Sequence, residues 1–273
     1  MVQDQIKKIH FIGIGGVGMS GIARVAFEQG MEVSGSDLKE SRYTKQLREV
    51  GIKIFIGQSA NNILEVLPDV VVVSTAILEN NPELIQAKES GIVIWHRAKM
   101  LAALGKGKKT LAVAGTHGKT TTSSMLASAI DAMGFDPTFL IGGIVRAYNS
   151  NAHSGTGEYY VVEADESDKS FTYLDPASVL VTNIEADHLD HYKNLEEIYS
   201  LFSDFMSSVP EDGCCVVCGE DEALVEVARK TGKKVYTYGA HEGCDAIVSQ
   251  YETEGVSTKF VVTLPDGVSC ECR

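Results

Sequence analysis

The chain has 273 residues, 44% of them hydrophobic, a mean hydropathy near zero and a formal net charge of −13. This length fits two domains of ordinary size with real cores, and the composition excludes a disordered chain. No apolar run approaches the roughly 20 residues a membrane helix needs, and the acidic balance argues against a nucleic-acid surface.

Charge is unevenly spread: residues 1–107 carry a net +1 and the remainder −14. An acidic domain repels bare phosphates, so a nucleotide bound there needs a local site and a metal. Met1-Val2-Gln3-Asp4-Gln5 leads straight into a strand. No basic stretch followed by an apolar run marks a secretion signal, and the cytoplasm is the expected location.

Residues 9–12 read as an apolar strand, followed by a Gly-rich turn and a helix over 19–28 stopped by Gly30. Strand 31–36, helix 44–50 ending at Gly51 and strand 52–56 come next. Residues 69–74 are apolar on both faces, as a central parallel strand should be. A helix starts at Pro82 and stops at Gly91, and 92–95 is a fifth strand. The alternation predicts a doubly wound parallel sheet. Gly105-Lys106-Gly107-Lys108-Lys109 reads as a linker.

The pattern then restarts, with strand 110–114 and helix 119–133 stopped by Gly134. Strands follow at 138–141, 159–164 and 179–182, with a helix over 195–207. Strand 215–218, helix 221–230 and strand 235–238 continue the alternation. Residues 247–272 alternate apolar and polar around Pro265-Asp266-Gly267 and predict antiparallel strands. Six cysteines are present: Cys214, Cys215, Cys218, Cys244, Cys270 and Cys272. The C-x-x-C and C-x-C spacings raise zinc, but 214–218 is an apolar run and reads better as a buried strand.

Gly13-Ile14-Gly15-Gly16-Val17-Gly18 fits G-x-G-x-x-G between a strand and a helix, the context of a dinucleotide phosphate loop. Asp37, 19 residues after Gly18, ends the second strand, where it can accept from ribose hydroxyls. The plain reading is NAD; the alternative is a tight turn without a ligand.

Gly115-Thr116-His117-Gly118-Lys119-Thr120-Thr121 follows Ala112-Val113-Ala114. It departs from the strict phosphate-loop pattern, because Val113 stands where the first glycine belongs. Gly-Lys-Thr between strand and helix remains. Backbone N–H groups can cradle a phosphate, Lys119 can reach the β/γ oxygens, and a hydroxyl of Thr120 or Thr121 can serve Mg²⁺. A Thr-rich helix cap alone leaves unexplained a lysine in the first turn, where the helix dipole disfavours a cation.

Two acidic clusters end strands: Glu163-Ala164-Asp165-Glu166-Ser167-Asp168, and Asn183-Ile184-Glu185-Ala186-Asp187-His188. Ligands of open parallel sheets bind beyond the C-terminal strand ends, so both clusters are expected on the edge that carries the second loop.

Together, the run from His10 to Ala23, the run from Ala114 to Thr121 and these two clusters resemble the Mur ligase family. The resemblance covers almost the whole chain. It implies that the first loop takes the UDP part of a nucleotide sugar rather than NAD, and that the second takes ATP with Mg²⁺. The implied reaction joins L-alanine to the lactyl carboxylate of UDP-N-acetylmuramate through an acyl phosphate, a step of peptidoglycan-precursor synthesis. A peptide-recycling ligase acting on the same sugar and a non-catalytic nucleotide-binding fragment are the alternatives. An NAD oxidoreductase leaves the second loop unexplained.

By position, the resemblance implies ATP contacts from Ala114, Gly115, Thr116, His117, Gly118, Lys119, Thr120 and Thr121, with Lys119 catalytic. Thr120, Thr121, Glu163 and His188 are the implied metal ligands. UDP-sugar contacts are implied for Gly13, Gly15, Gly16, Gly18, Met19, Ser20, Asp37, Ser74, Thr75, Ala76, His96 and Arg97. Asn151-Ala152-His153 lies where the family approaches the muramoyl group. Residues 194–212 contain no lysine, so the carbamylated lysine of related ligases is not assigned. The expected fold is α/β. A Rossmann-like UDP-sugar domain spans 1–106, and a P-loop ATPase-like domain with an antiparallel extension spans 107–273. The family has three domains, so the second is expected to be truncated, the third missing and this chain alone nearly inactive.

Overall fold

The computed structural model describes residues 6–165, 170–185 and 195–273. In chain order the elements are β1 (Lys8–Ile12), α1 (Val17–Glu28), β2 (Glu32–Asp37), α2 (Arg42–Glu49), β3 (Lys53–Ile56), α3 (Ala60–Val66), β4 (Val70–Val73), α4 (Pro82–Glu89), β5 (Val93–His96) and α5 (Arg97–Leu104). They continue with β6 (Lys109–Ala114), α6 (Lys119–Ala132), β7 (Thr138–Val145), β8 (Ser150–His153), β9 (Tyr159–Glu163), β10 (Ser178–Val181), α7 (Leu195–Ser207), β11 (Cys214–Cys218), α8 (Glu222–Lys230), β12 (Val235–Gly239), β13 (Ala246–Glu254), β14 (Ser257–Thr263) and β15 (Ser269–Cys272).

Two compact units emerge from the contacts between residues. The first comprises Met1–Lys108 with Ser123–Val162, the second Lys109–Thr122 with Glu163–Arg273.

In the first unit five parallel strands run in the order β3-β2-β1-β4-β5. Chain direction across the sheet reverses between β1 and β4, which opens a crevice beyond their C-terminal ends. Val70, Val71 and Val72 of β4 are at most 1% exposed, as a strand covered on both faces requires. Ile12, Ile63, Val71, Leu84 and Ala87 form a cluster joining β1 and β4 to α3 and α4. Strand β7 pairs parallel with β9 and antiparallel with β8.

Helix boundaries follow local chemistry. Ser41 and Thr44 make a reciprocal capping box at α2, and Asn81 caps α4 ahead of Pro82. The expected stops at Gly30, Gly51, Gly91 and Gly134 all have positive φ. Two helices go beyond the sequence reading. Helix α3 is a short turn capped by Ser59. Helix α5 starts directly from β5 with no intervening loop, because the His96 side chain accepts the Ala98 N–H and caps it.

In the second unit the order is β15-β14-β13-β12-β11-β10-β6. Strands β6, β10, β11, β12 and β13 are parallel neighbours, and β14 and β15 add antiparallel. Helix α7 buries Ile198, Phe202, Phe205 and Met206, a helical stripe. Phe171 packs on its two phenylalanines with ring centroids 5.7 and 4.6 Å away. The α/β fold with its antiparallel extension is as expected. Among the described residues no helix is long and apolar enough to cross a membrane.

Candidate nucleotide sites

The first glycine loop is held in shape by the end of β2. The Ser36 carbonyl accepts the N–H groups of both Gly13 (2.8 Å) and Ile14 (2.9 Å). The next residue, Asp37, accepts Gly15 N–H at 2.9 Å through its carboxylate. Gly13 has φ +79°, and a Cβ there would sit 3.2 Å from Ile77, so the chain reverses at a position only glycine takes without strain. Gly16 is the N-cap of α1 and offers no side-chain cap, which leaves the helix end to backbone N–H donors, an anion-binding arrangement.

A cavity of about 380 Å³ adjoins this loop and brings together Gly13, Asp37 and Ala76 of the expected set. Leu38 and Leu78 also line it, and each is 69% exposed. Exposed leucines beside a polar loop suit the face of a flat ring, and nothing in the sequence pattern singled them out. Ser74 and Thr75 lie on the turn after β4, where Ser74 carbonyl accepts Ile77 N–H.

Arg97 opens α5, and its Nη1 lies 3.4 Å from where a Cβ on Gly18 would be. A guanidinium therefore rests on the last glycine of the loop. Met19 and Ser20 are buried on α1, 4% exposed each, and the Ser20 hydroxyl donates to Val17 carbonyl. Asn151 Nδ2 donates to Val17 carbonyl at 3.2 Å, and His153 Nε2 pairs with Asp136 at 3.0 Å.

The second loop connects β6 to the first turn of α6, both in the second unit, and residues after β10 fasten it. Asn183 carbonyl accepts Thr116 N–H (3.0 Å) and Asn183 Oδ1 accepts His117 N–H (2.9 Å). Thr182 hydroxyl and Asn183 Nδ2 both donate to His117 carbonyl, at 2.6 and 3.1 Å. Glu185 N–H donates to the Thr116 hydroxyl at 2.9 Å. Gly115 has φ +126°, and a Cβ there would fall 2.2 Å from Thr182 Oγ1. Only glycine fits against this brace, so Thr182 and Asn183 join the residues that shape the loop.

Lys119 is half-buried at the start of α6, and its ammonium donates to the carbonyls of Gly115 (2.6 Å) and Thr116 (3.2 Å). The charge thus sits over the loop, beside the first helical turn whose N–H groups point out of the helix. Glu163 ends β9, and Ala164 N–H bonds to Val113 carbonyl beside it. This brings the carboxylate to Thr120, whose hydroxyl donates to both Glu163 oxygens at 2.9 and 3.0 Å. A hydroxyl and a carboxylate converging on one point form an oxygen donor set that suits a hard divalent cation. Among the described residues no group of three His, Cys, Asp or Glu side chains forms a cage. His188, Glu166, Ser167, Asp168 and Asp187 lie outside the described residues.

All six cysteines are free thiols. Cys244 lies 3.3 Å from His241 Nε2. That ring accepts Gly243 N–H on Nδ1, so in its neutral form the proton sits on Nε2 and points at Gly219 carbonyl. Burial pushes the Cys244 thiol up, and the pair lacks the base of a thiol nucleophile.

Comparison with known proteins agrees with this layout. The profile described as "Mur ligase family, catalytic domain" matches residues 8–109, and that of the "Mur ligase middle domain" matches residues 113–273. The chain belongs to the Mur ligase family. Among Mur ligases it is 48% identical over 246 residues to the UDP-N-acetylmuramate–L-alanine ligase of Carboxydothermus hydrogenoformans, covering 90% of this chain and 53% of that protein. It is also 48% identical over 256 residues to the enzyme of the same name from Trichlorobacter lovleyi, covering 93% and 56%. The chain thus spans about half the length of the curated Mur ligases it matches.

Two solved Mur ligases share its fold closely. The UDP-N-acetylmuramate–alanine ligase of Thermotoga maritima aligns with a TM-score of 0.82 at 31% identity, over 97% of this chain and 60% of that one. The UDP-N-acetylmuramate:L-alanyl-gamma-D-glutamyl-meso-diaminopimelate ligase of Neisseria meningitides aligns with a TM-score of 0.86 at 30% identity, over 97% and 86%.

Proposed function

We propose that the protein this chain represents is an ATP-dependent carboxylate–amine ligase that joins L-alanine to the lactyl carboxylate of UDP-N-acetylmuramate in peptidoglycan-precursor synthesis. The observation that carries this reading is the pairing of two different phosphate-type loops in one Mur ligase chain. One adjoins an apolar cavity, and the other carries Lys119 beside Thr120 and Glu163. The functional division is read as residues 1–106 for the nucleotide sugar and 107–273 for ATP.

A carboxylate is a poor electrophile. Transfer of the γ-phosphoryl group of ATP to it gives an acyl phosphate and ADP. Attack by the amine of L-alanine, which loses a proton, expels inorganic phosphate and leaves the amide. In this reading Lys119 neutralises charge on the transferring phosphoryl group, and the first turn of α6 orients the phosphate chain. Glu163 and His188, with the hydroxyl of Thr120 or Thr121, would hold Mg²⁺, which would supply positive charge to offset that of the ATP phosphates. The Gly13–Gly18 loop and Arg97 hold the diphosphate of the sugar nucleotide, and the cavity beside Leu38 and Leu78 takes its base. These substrates are cytoplasmic metabolites, and the cytoplasm is the proposed location.

A second reading has one observation behind it: the solved tripeptide-adding ligase matches this fold as well as the alanine-adding one does. The higher identity to alanine ligases favours the first. The test is ADP release by the whole gene product with UDP-N-acetylmuramate and L-alanine, D-alanine or the tripeptide. L-Alanine-dependent release that Lys119→Ala abolishes, with nucleotide-sugar binding kept, supports the proposal. Tripeptide preference or amine-independent turnover overturns it.

A further inference from the structure

Beneath the first loop lies a buried carboxylate that the nucleotide-sugar reading does not itself use. Glu83, the second residue of α4, is 0% exposed. Burying an ionisable group is costly unless every polar atom finds a partner. Here Oε1 accepts Asn62 Nδ2 of α3 at 2.5 Å and Ser59 N–H at 3.4 Å. The Ser36 hydroxyl donates to Oε2. His10 of β1, also 0% exposed, brings Nε2 to 3.7 Å from Oε2, while its Nδ1 meets the Ser34 hydroxyl at 2.9 Å. One carboxylate thus joins β1, β2, α3 and α4.

Ser36 links this network to the site. Its carbonyl holds the Gly13 and Ile14 N–H groups, and its neighbour Asp37 holds that of Gly15. Three successive loop amides therefore hang on two residues of β2, one of which is anchored by Glu83.

We propose that Glu83 is a positioning residue for the first glycine loop: by fixing Ser36 it sets the loop shape that receives the diphosphate of a nucleotide sugar, without touching the ligand. This inference rests on the nucleotide-sugar reading of that loop.

Acceptor chemistry explains the choice of residue. Ser36, Asn62 and Ser59 all present donors, and an ionised carboxylate is acceptor-only. A glutamine in the same volume either sets its NH₂ group against the Asn62 amide, donor against donor, or turns it to Ser36, whose hydroxyl must then reverse and accept, losing the bond that it donates to the carboxylate. Burial pushes the Glu83 carboxyl up, but the His10 ring, the Ser36 hydroxyl and the Asn62 amide more than offset it, and the group lies below its ordinary range.

The test measures UDP-N-acetylmuramate and ATP binding by calorimetry, with thermal melting alongside, for the wild type, Glu83→Gln and Ser36→Ala. Loss of a hydrogen bond to a charged group is expected to weaken nucleotide-sugar binding on the order of tenfold, with ATP affinity unchanged. The double variant should lose little more than either single one, because both break one linkage. A purely architectural role predicts a lowered melting temperature with unchanged affinity in the folded protein, and that result overturns the proposal. If Glu83→Gln does not fold, Ser36→Ala decides by the same criterion. A wild type that binds ATP but no uridine diphosphate sugar overturns the reading of the loop, and the proposal with it, which is a distinct outcome.

Discussion

The hydroxyl of Thr120 stands 2.9 and 3.0 Å from the two carboxylate oxygens of Glu163, although 43 residues separate them in the chain. One belongs to the first turn of a helix and the other to the end of a strand. Their meeting point is where hard oxygen donors converge.

A first prediction follows from this pair. Glu163→Gln keeps the shape and the hydrogen bond but removes the negative charge that a divalent cation needs. Turnover should fall by about two orders of magnitude or more, the scale seen when a charge-stabilising group is removed. Raising Mg²⁺ should restore part of it. A steady-state assay titrated with Mg²⁺ checks this; full activity at ordinary Mg²⁺ would remove Glu163 from the metal site.

Gly115→Ala places a methyl group 2.2 Å from Thr182 Oγ1 and 2.9 Å from Asn183 carbonyl, at a φ of +126°. Backbone strain of this kind costs roughly 1–3 kcal/mol, and the loop must move to relieve the clash. The urea midpoint should drop and ATP binding should be lost, with nucleotide-sugar binding retained.

Arg97→Ala removes the guanidinium beside Gly18. The affinity for UDP-N-acetylmuramate should fall about tenfold, as for a lost charge-assisted hydrogen bond, and ATP affinity should not change. Arg97→Lys should recover only part, because a lysine lacks the planar fork. Calorimetric titration of the three proteins with each nucleotide separates these outcomes.

Asp136 carries the clearest pH signature. The Thr156 backbone N–H, His153 and the Thr156 hydroxyl hold its carboxyl down at about 2, against roughly 3.9 for an unfolded aspartate. A carboxyl depressed by folding stabilises the protein above the unfolded value, and that contribution fades as pH falls from about 4 toward 2. Asp136→Asn keeps the left-handed backbone (φ 41°), which asparagine tolerates. The variant should therefore be less stable than the wild type at pH 7, and the gap should narrow below pH 4. Urea midpoints at pH 7, 4 and 2.5 measure it; a constant gap would remove the charge from the explanation.

Much of the fold was legible because the punctuation is local. Gly30 and Gly91 stop helices whether or not the rest of the protein is known, and Val70 to Val72 announce a strand covered on both faces. Helix α5 was hidden because His96 ends β5 and caps α5 in the same residue, leaving no loop to read. Strand β8, Ser150–His153, is too polar to alternate. The phosphate-type loops were visible as motifs, but their supports were not. Asn183 and Thr182 lie more than 60 residues from the loop they brace, and Glu83 looks like an ordinary first-turn acid until β1, β2 and α3 close over it. Leu38 and Leu78 are unremarkable letters until a cavity forms between their turns.

The brace on the second loop also bears on the order of folding. Four of the hydrogen bonds that shape Gly115 to His117 span 65 to 69 positions, so this loop is not a local turn that forms with its helix. Closing a segment of that length carries an entropic cost that must be met before the contacts reward it. Helix α6 can form early, but its N-terminal loop acquires its shape only when β10 has docked beside β6. On a growing chain the Gly115–His117 turn is therefore among the later features of the second unit to mature, well after the residues that compose it have been made.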